Sequence, residues 1–182
     1  MSPSARRPSD GIASRILAAC LREHCFIAAA ESLTGGLLAD AFVRVPGASA
    51  VFLGSAVTYD IRAKQSILGV DAELLRTRGA VDPEVARHMA SSTARLYGND
   101  DTVDRVIGLS TTGVAGPGPD GDKAAGLVYI ALAFPGASAL RHGGERKDGV
   151  YVRELHLEGS REDVRESTVL EVLSTLSKLL DA

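Results

Sequence analysis

Residues 25–42 read CFIAAAESLTGGLLADAF, and the fold follows from how this stretch is read. From Cys25 to Ala30 the run is uninterruptedly apolar or small, too short for a helix of its own and suited to a strand covered on both faces. Glu31-Ser32-Leu33-Thr34-Gly35-Gly36 breaks the run, and Leu37, Leu38, Ala41 and Phe42 then recur at helical spacing until Pro46-Gly47. The segment is a strand, a tight turn and a helix.

Working outward, the same unit repeats. Upstream, Ser9 and Asp10 offer an N-cap to a helix carrying Ile12, Ile16, Leu17, Cys20 and Leu21, which runs to about Glu23. Downstream, the β-branched and aromatic stretch Val51 to Tyr59 predicts a second strand, and Ile61, Lys64, Gln65 and Leu68 a helix ending at Gly69. A short helix from Ala72 to Arg78 and a longer one from Pro83 to Leu96 lead to strands at Val103–Ser110, Gly126–Phe134 and Val150–Leu157. The last two pair antiparallel around a Gly/Arg-rich link. Val164, Thr168, Val172, Leu176 and Leu179 mark a closing amphipathic helix. The pattern predicts a three-layer α/β/α sandwich with a mixed, mainly parallel sheet. A single domain over residues 9–182 follows a flexible arm at 1–8 that has no apolar stretch of the signal-peptide kind.

Composition narrows the function classes. The 182 residues are 45% hydrophobic, and no apolar run approaches the roughly 20 residues of a membrane span. Lys+Arg 20 against Asp+Glu 23 gives a net charge of −3, and only 4% of residues are aromatic, with no Trp. Neither a polyanion-binding surface nor stacking platforms for single strands can be built from that. Cys20 and Cys25 make no CxxC pair, so reduced thiols and a cytoplasmic setting are the default. His24, His88, His142 and His156 lack ligand spacing, and Asp120 and Asp122 lack the calcium-loop pattern, so no metal is expected.

Ligands of such sheets sit beyond the carboxyl ends of the parallel strands. Three segments land there: Glu31 to Gly36, Tyr59 to Lys64, and the Gly/Pro-rich loop of Thr111 to Gly126. The first two open on one edge if their strands form a right-handed βαβ unit, which brings Ser32 opposite Lys64. A serine needs a base, and with no histidine in these turns the candidate is the Lys64 amine. At the ordinary lysine pKa of about 10.4, only roughly one lysine in a few thousand is neutral at pH 7. The site must therefore desolvate Lys64, and Asp60, one helical turn away, must point elsewhere. Tyr59 stands beside the pair to relay a proton. Taken singly, Ser32 or Thr34 is more commonly an N-cap, Lys64 a solvated charge, Gly35 and Gly36 a sharp turn, and Glu31 a favourable charge at a helix dipole. The Thr111 to Pro119 loop suits a phosphate or sugar but is neither a P-loop nor a GxGxxG turn. Arg161 and Arg165, one turn apart, form either a phosphate clamp or helix ion pairs with Glu162 and Glu166. Arg141, Arg146 and Lys147 read as a solvated loop.

The turns as a set resemble one family, the C-terminal domain of the competence/damage-inducible protein CinA, whose stand-alone members are nicotinamide mononucleotide deamidases. Glu31-Ser32-Leu33-Thr34-Gly35-Gly36, Pro46-Gly47-Ala48-Ser49, Tyr59 with Lys64 and Gly79-Ala80-Val81 are similar to its motifs in order. So are Thr112-Gly113-Val114-Ala115-Gly116-Pro117, Gly126, and Gly159-Ser160-Arg161 with Arg165. The resemblance implies Ser32 as nucleophile, Lys64 as its general base, and Tyr59 and Glu31 in the site. Thr34, Gly35 and Gly36 would offer backbone N–H groups to an oxyanion, and Glu31 would offset the ring charge. It further implies Ser49, Thr112, Gly113 and Gly116 against the ligand and Arg161 or Arg165 on its phosphate. Gly118-Pro119-Asp120-Gly121 departs from the family's run of glycines. Larger members carry an N-terminal domain resembling molybdopterin-binding proteins, which this sequence does not show. The implied reaction converts nicotinamide mononucleotide to nicotinic acid mononucleotide and ammonia without cofactor. Its rivals are another amide substrate, a pyridine dinucleotide, or a catalytically silent nucleotide-binding module linked to competence or DNA damage. Neither nucleic acid nor membrane is an expected partner, and a homo-oligomer, most simply a dimer, is.

Overall fold

The computed structural model describes residues 7–134 and 149–182. Five strands, β1 (Phe26–Glu31), β2 (Phe52–Val57), β3 (Val106–Gly113), β4 (Leu127–Ala133) and β5 (Val150–His156), form one sheet in the order β2-β1-β3-β4-β5. β2, β1 and β3 are parallel, β4 runs against β3, and β5 against β4. Only β4 is reversed, which gives the mixed, mainly parallel sheet. The helices are α1 (Pro8–Arg22), α2 (Leu37–Val43), α3 (Ile61–Leu68), α4 (Ala72–Arg78), α5 (Pro83–Tyr97) and α6 (Arg161–Leu180). No helix among the described residues is long and apolar enough to cross a membrane.

β1 is central, and its Ile27-Ala28-Ala29-Ala30 run is fully buried because both faces are covered. On one face, α1, α2 and α6 pack Ile16, Phe42, Leu173 and Leu176 against Ile27, Leu109 and Ile130. On the other, Val85, Ala86, Met89 and Ala90 of α5 meet the sheet. Gly108 permits this approach: a Cβ there would lie 2.0 Å from the Ala90 carbonyl oxygen, so any side chain would push α5 off β3. Cys20 and Cys25 are buried free thiols, and burial pushes Cys20 up to about 12.

Element boundaries differ from the sequence reading by one to three residues, most at α1 and the third strand. α1 starts at Pro8, and Asp10 is not its cap but reaches back to accept the Arg7 N–H at 3.0 Å. The third strand begins at Val106 after a 3₁₀ turn and continues through Thr111, Thr112 and Gly113. These residues pair with Ile130, Tyr129 and Val128 of β4, and the threonine hydroxyls find partners, so the polar run does not end the strand. The Gly/Arg-rich link with Arg141, His142, Arg146 and Lys147 lies outside the described residues.

Candidate active site

β1 delivers Ser32 to the carboxyl end of the sheet. The Ser32 N–H donates to the Thr111 carbonyl at 3.0 Å, so the turn after β1 is tied to β3, and the residue is 8% exposed. β2 and α3 deliver Lys64. Asp60 caps α3 by accepting the Arg62 N–H at 2.8 Å, which places Lys64 one turn in, on the face turned to the sheet. There it is fully buried.

Lys64 Nζ lies 3.0 Å from Ser32 Oγ, 2.6 Å from the Thr58 carbonyl oxygen and 3.5 Å from that of Tyr59. A neutral amine has two hydrogens and one lone pair. Two carbonyls can only accept, so they take the hydrogens and leave the lone pair for the serine hydroxyl. Burial lowers the Lys64 pKa to about 8, against a smaller opposing pull from Asp60. Asp60 does point elsewhere: its carboxylate holds the Arg62 guanidinium at 2.8 and 2.9 Å, and that contact keeps it well below the usual carboxylate range.

In front of the pair, Ser32 lines a cleft of about 330 Å³. Tyr59, Ala80, Gly113, Gly116 and Arg161 are among its other walls, with Thr112 and Asp120. Lys64 stands behind Ser32, out of the cleft. Arg161 donates to the Gly116 carbonyl at 2.6 Å and to the Tyr59 hydroxyl at 3.0 Å, joining opposite walls. The Thr112 hydroxyl donates to the Ala80 carbonyl at 2.6 Å, which anchors the Gly79-Ala80-Val81 turn beside the loop.

Four expected placements are corrected. Glu31 does not face the cleft. Its buried carboxylate accepts five hydrogen bonds, from the N–H groups of Gly36, Leu38 and Ala39 and the hydroxyls of Thr34 and Ser55, and organises the start of α2. The Gly35 and Gly36 N–H groups are already committed, to the Ser32 carbonyl and to Glu31, so they are not free for an oxyanion. Arg165 is not in the cleft either. It donates to the carbonyls of Leu33 and Thr34 at 2.9 and 3.0 Å and pairs with Glu162, holding the serine turn from behind. Ser49 precedes β2, at the other end of the strand from Thr58, and lines a separate hollow with Val43 and Pro46.

Three contributors carry little or no usable signal in the sequence. Thr111 holds Ser32 through its carbonyl and Thr34 through its hydroxyl at 2.8 Å. The Thr58 carbonyl acts through the backbone, which side-chain chemistry cannot announce. Asp120 reads as a failed calcium ligand and as part of a departure from the family's run of glycines, although its place in the Gly/Pro loop points to the cleft. Among the described residues no group of His, Cys, Asp and Glu is disposed to hold a metal.

A parallel-stranded edge that presents a serine backed by a buried amine belongs here to a three-layer α/β domain, and comparison with known proteins gives its kinship. Residues 9–180 match the family model of the CinA C-terminal domain, and the chain belongs to that family. A protein of Moorella thermoacetica whose name refers to competence and damage induction is 40% identical over 174 residues, 95% of this chain and 37% of its own length. A CinA-like protein of Frankia casuarinae is 37% identical over 171 residues, 94% of this chain and 35% of its own. The chain thus spans little more than a third of these relatives. Among solved structures, a CinA superfamily protein from Klebsiella pneumoniae superposes with a TM-score of 0.83 at 25% identity, covering 96% of this chain and 99% of that one. The competence/damage inducible protein CihA from Agrobacterium tumefaciens does so with 0.80 at 31% identity, covering 97% and 98%.

Proposed function

We propose that this protein is a nicotinamide-nucleotide amidohydrolase that uses Ser32 and Lys64 as nucleophile and base. The observation that carries the reading is the 3.0 Å contact between Lys64 Nζ and Ser32 Oγ in a socket with two carbonyl acceptors and, among the described residues, no carboxylate in contact. With a pKa of about 8, roughly one Lys64 in ten is neutral at pH 7, about two hundredfold more than for a solvated lysine.

In the first step Lys64 takes the Ser32 proton as the oxygen adds to the carboxamide carbon, and the carbonyl electrons move onto oxygen. The N–H groups of Leu33 and Thr34, which donate to no other described residue, are the donors left to this oxyanion. The Lys64 ammonium then protonates the departing nitrogen, the C–N bond breaks, and ammonia leaves a seryl ester. Lys64, neutral again, takes a proton from water, whose oxygen attacks the ester; the acid departs and Ser32 recovers its proton. A pyridinium ring suits so plain a pair, because its positive charge draws electrons from the carboxamide and makes that carbon easier to attack. Arg161 is the cleft's cation for the 5′-phosphate, while Arg165 keeps the serine turn in place.

The test is ammonia release from nicotinamide mononucleotide by the purified protein, with Ser32→Ala alongside. Release by the native protein and none by Ser32→Ala supports the reading; equal release by both removes Ser32 from the chemistry. Binding without release would instead make the domain a nucleotide-binding module.

A further inference from the structure

With Glu31 engaged by five donors, the cleft needs another group to meet a cationic ring. Asp120 is the one carboxylate among the described residues that line it. Its backbone is fixed by a tight hairpin in which the Asp120 N–H donates to the Lys123 carbonyl at 2.9 Å and the Lys123 N–H donates back at 3.0 Å. Lys123, the nearest basic residue in sequence, pairs with Asp122 at 3.4 Å, and no described cation lies within ion-pair distance of Asp120. The cleft's other charge, Arg161, contacts a carbonyl and a phenol and no carboxylate. Among the described residues, one cleft therefore carries an unpaired anion and an unpaired cation.

We propose that Asp120 is the counter-charge that selects a cationic ring in this cleft, so that with Arg161 the site recognises a dipolar ligand, a pyridinium bearing a phosphate. The assignment deepens the amidohydrolase reading and rests on it for the choice of ligand. A carboxylate beside the ring stabilises the cation before and during attack alike, so Asp120 is a specificity residue acting on KM rather than kcat. Its strength is that of an accessible ion pair, about fivefold in affinity, and it weakens with salt.

The experiment compares nicotinamide mononucleotide with its reduced form, which has the same phosphate and carboxamide but an uncharged ring. Dissociation constants are measured on the Ser32→Ala protein with and without Asp120→Asn. The expected result is about a fivefold preference for the cationic form, abolished by Asp120→Asn and restored by Asp120→Glu, with binding of the neutral form changed less than about twofold. In the Ser32-containing protein, Asp120→Asn raises KM for the cationic form with little change in kcat. Equal loss of both forms, or a preference that survives Asp120→Asn, overturns the proposal. If the native protein releases no ammonia while Asp120→Asn still abolishes the preference, the hydrolase reading falls and the Asp120 assignment stands. Ammonia release with an unaltered preference gives the reverse, and failure to bind either form removes both.

Discussion

Glu31 ends β1 and Lys64 lies one turn into the helix after β2; both are 0% exposed, and the two pockets treat a buried ionisable group in opposite ways. Around Glu31 every hydrogen-bonding neighbour is a donor: three N–H groups at the head of α2 and two hydroxyls. That is the complement a buried carboxylate needs. Around Lys64 stand a hydroxyl and two carbonyls, and no carboxylate of the described residues is in ion-pair contact, so burial outweighs the pull of Asp60 and lowers the pKa to about 8. Neighbouring positions in two successive strand-helix units, the last residue of a strand and the first turn of a helix, yield a rigid corner in one case and an easily neutralised amine in the other. The presence or absence of a full set of opposite partners makes the difference.

That contrast breaks most visibly at Lys64. Lys64→Met keeps an apolar stem out to the ε position but removes the amine and its lone pair, and amide hydrolysis should fall by about 10³-fold. Lys64→Arg should fail equally, because a guanidinium does not give up its proton. Neither the transition midpoint in urea nor the circular dichroism of Lys64→Met should worsen, since methionine carries no charge to desolvate. A Lys64→Met protein that keeps a substantial share of its activity would mean that the amine is structural and the contrast false.

The reverse experiment strikes Glu31. Oε2 accepts three of the bonds and Oε1 two, so in Glu31→Gln an amide NH₂ must face one of these sets of donors. The cost should be about 3 kcal/mol in the free energy of urea unfolding. Activity would drop only through the displaced serine turn. A variant as stable as the native protein would show that the five bonds do not hold the corner.

A pH titration sharpens the contrast. Unfolded Lys64 titrates near about 10.4 and folded Lys64 near 8. Below 8 both states are charged and the folded state bears the full cost of the buried ammonium; above about 10.4 both are neutral and the cost is gone. Between the two the unfolded chain binds more protons, so stability should rise with pH, by about 3 kcal/mol relative to Lys64→Met, in which this contribution is flat. Activity should rise toward a plateau above about pH 8. A rate that stays flat as the pH is carried from well below that value to well above it would exclude Lys64 as the base.

How much of this is legible in the sequence depends on the range of the contacts. The strand-turn-helix at 25–42 shows in apolar periodicity, and the meeting of Ser32 and Lys64 follows from the handedness of one crossover. The Glu31 pocket does not show, because its fifth donor, Ser55, arrives from β2, 24 residues away. Nor can spacing separate Arg161 from Arg165. They share a helix face, but which one enters the cleft is set by how α6 docks on the turn, across 131 and 132 residues. Ser49 is drawn to the site by a motif whose place in the chain, ahead of β2, puts it at the sheet's other end.

The smallest effect marks where the two pockets differ in completeness. Thr58 Oγ1, on the residue whose carbonyl holds Lys64, is a buried side-chain oxygen without a hydrogen-bond partner among the described residues, whereas the Glu31 pocket leaves neither hydroxyl unpaired. Threonine and valine have nearly the same shape, so Thr58→Val replaces an unsatisfied hydroxyl by a methyl group without opening a cavity. It also leaves the backbone acceptor of Lys64 in place. Stability should rise by about 1 kcal/mol, read as a higher urea midpoint at unchanged slope. A loss of stability instead would mean that the hydroxyl is engaged after all, and that the socket behind Ser32 is as fully satisfied as the corner at Glu31.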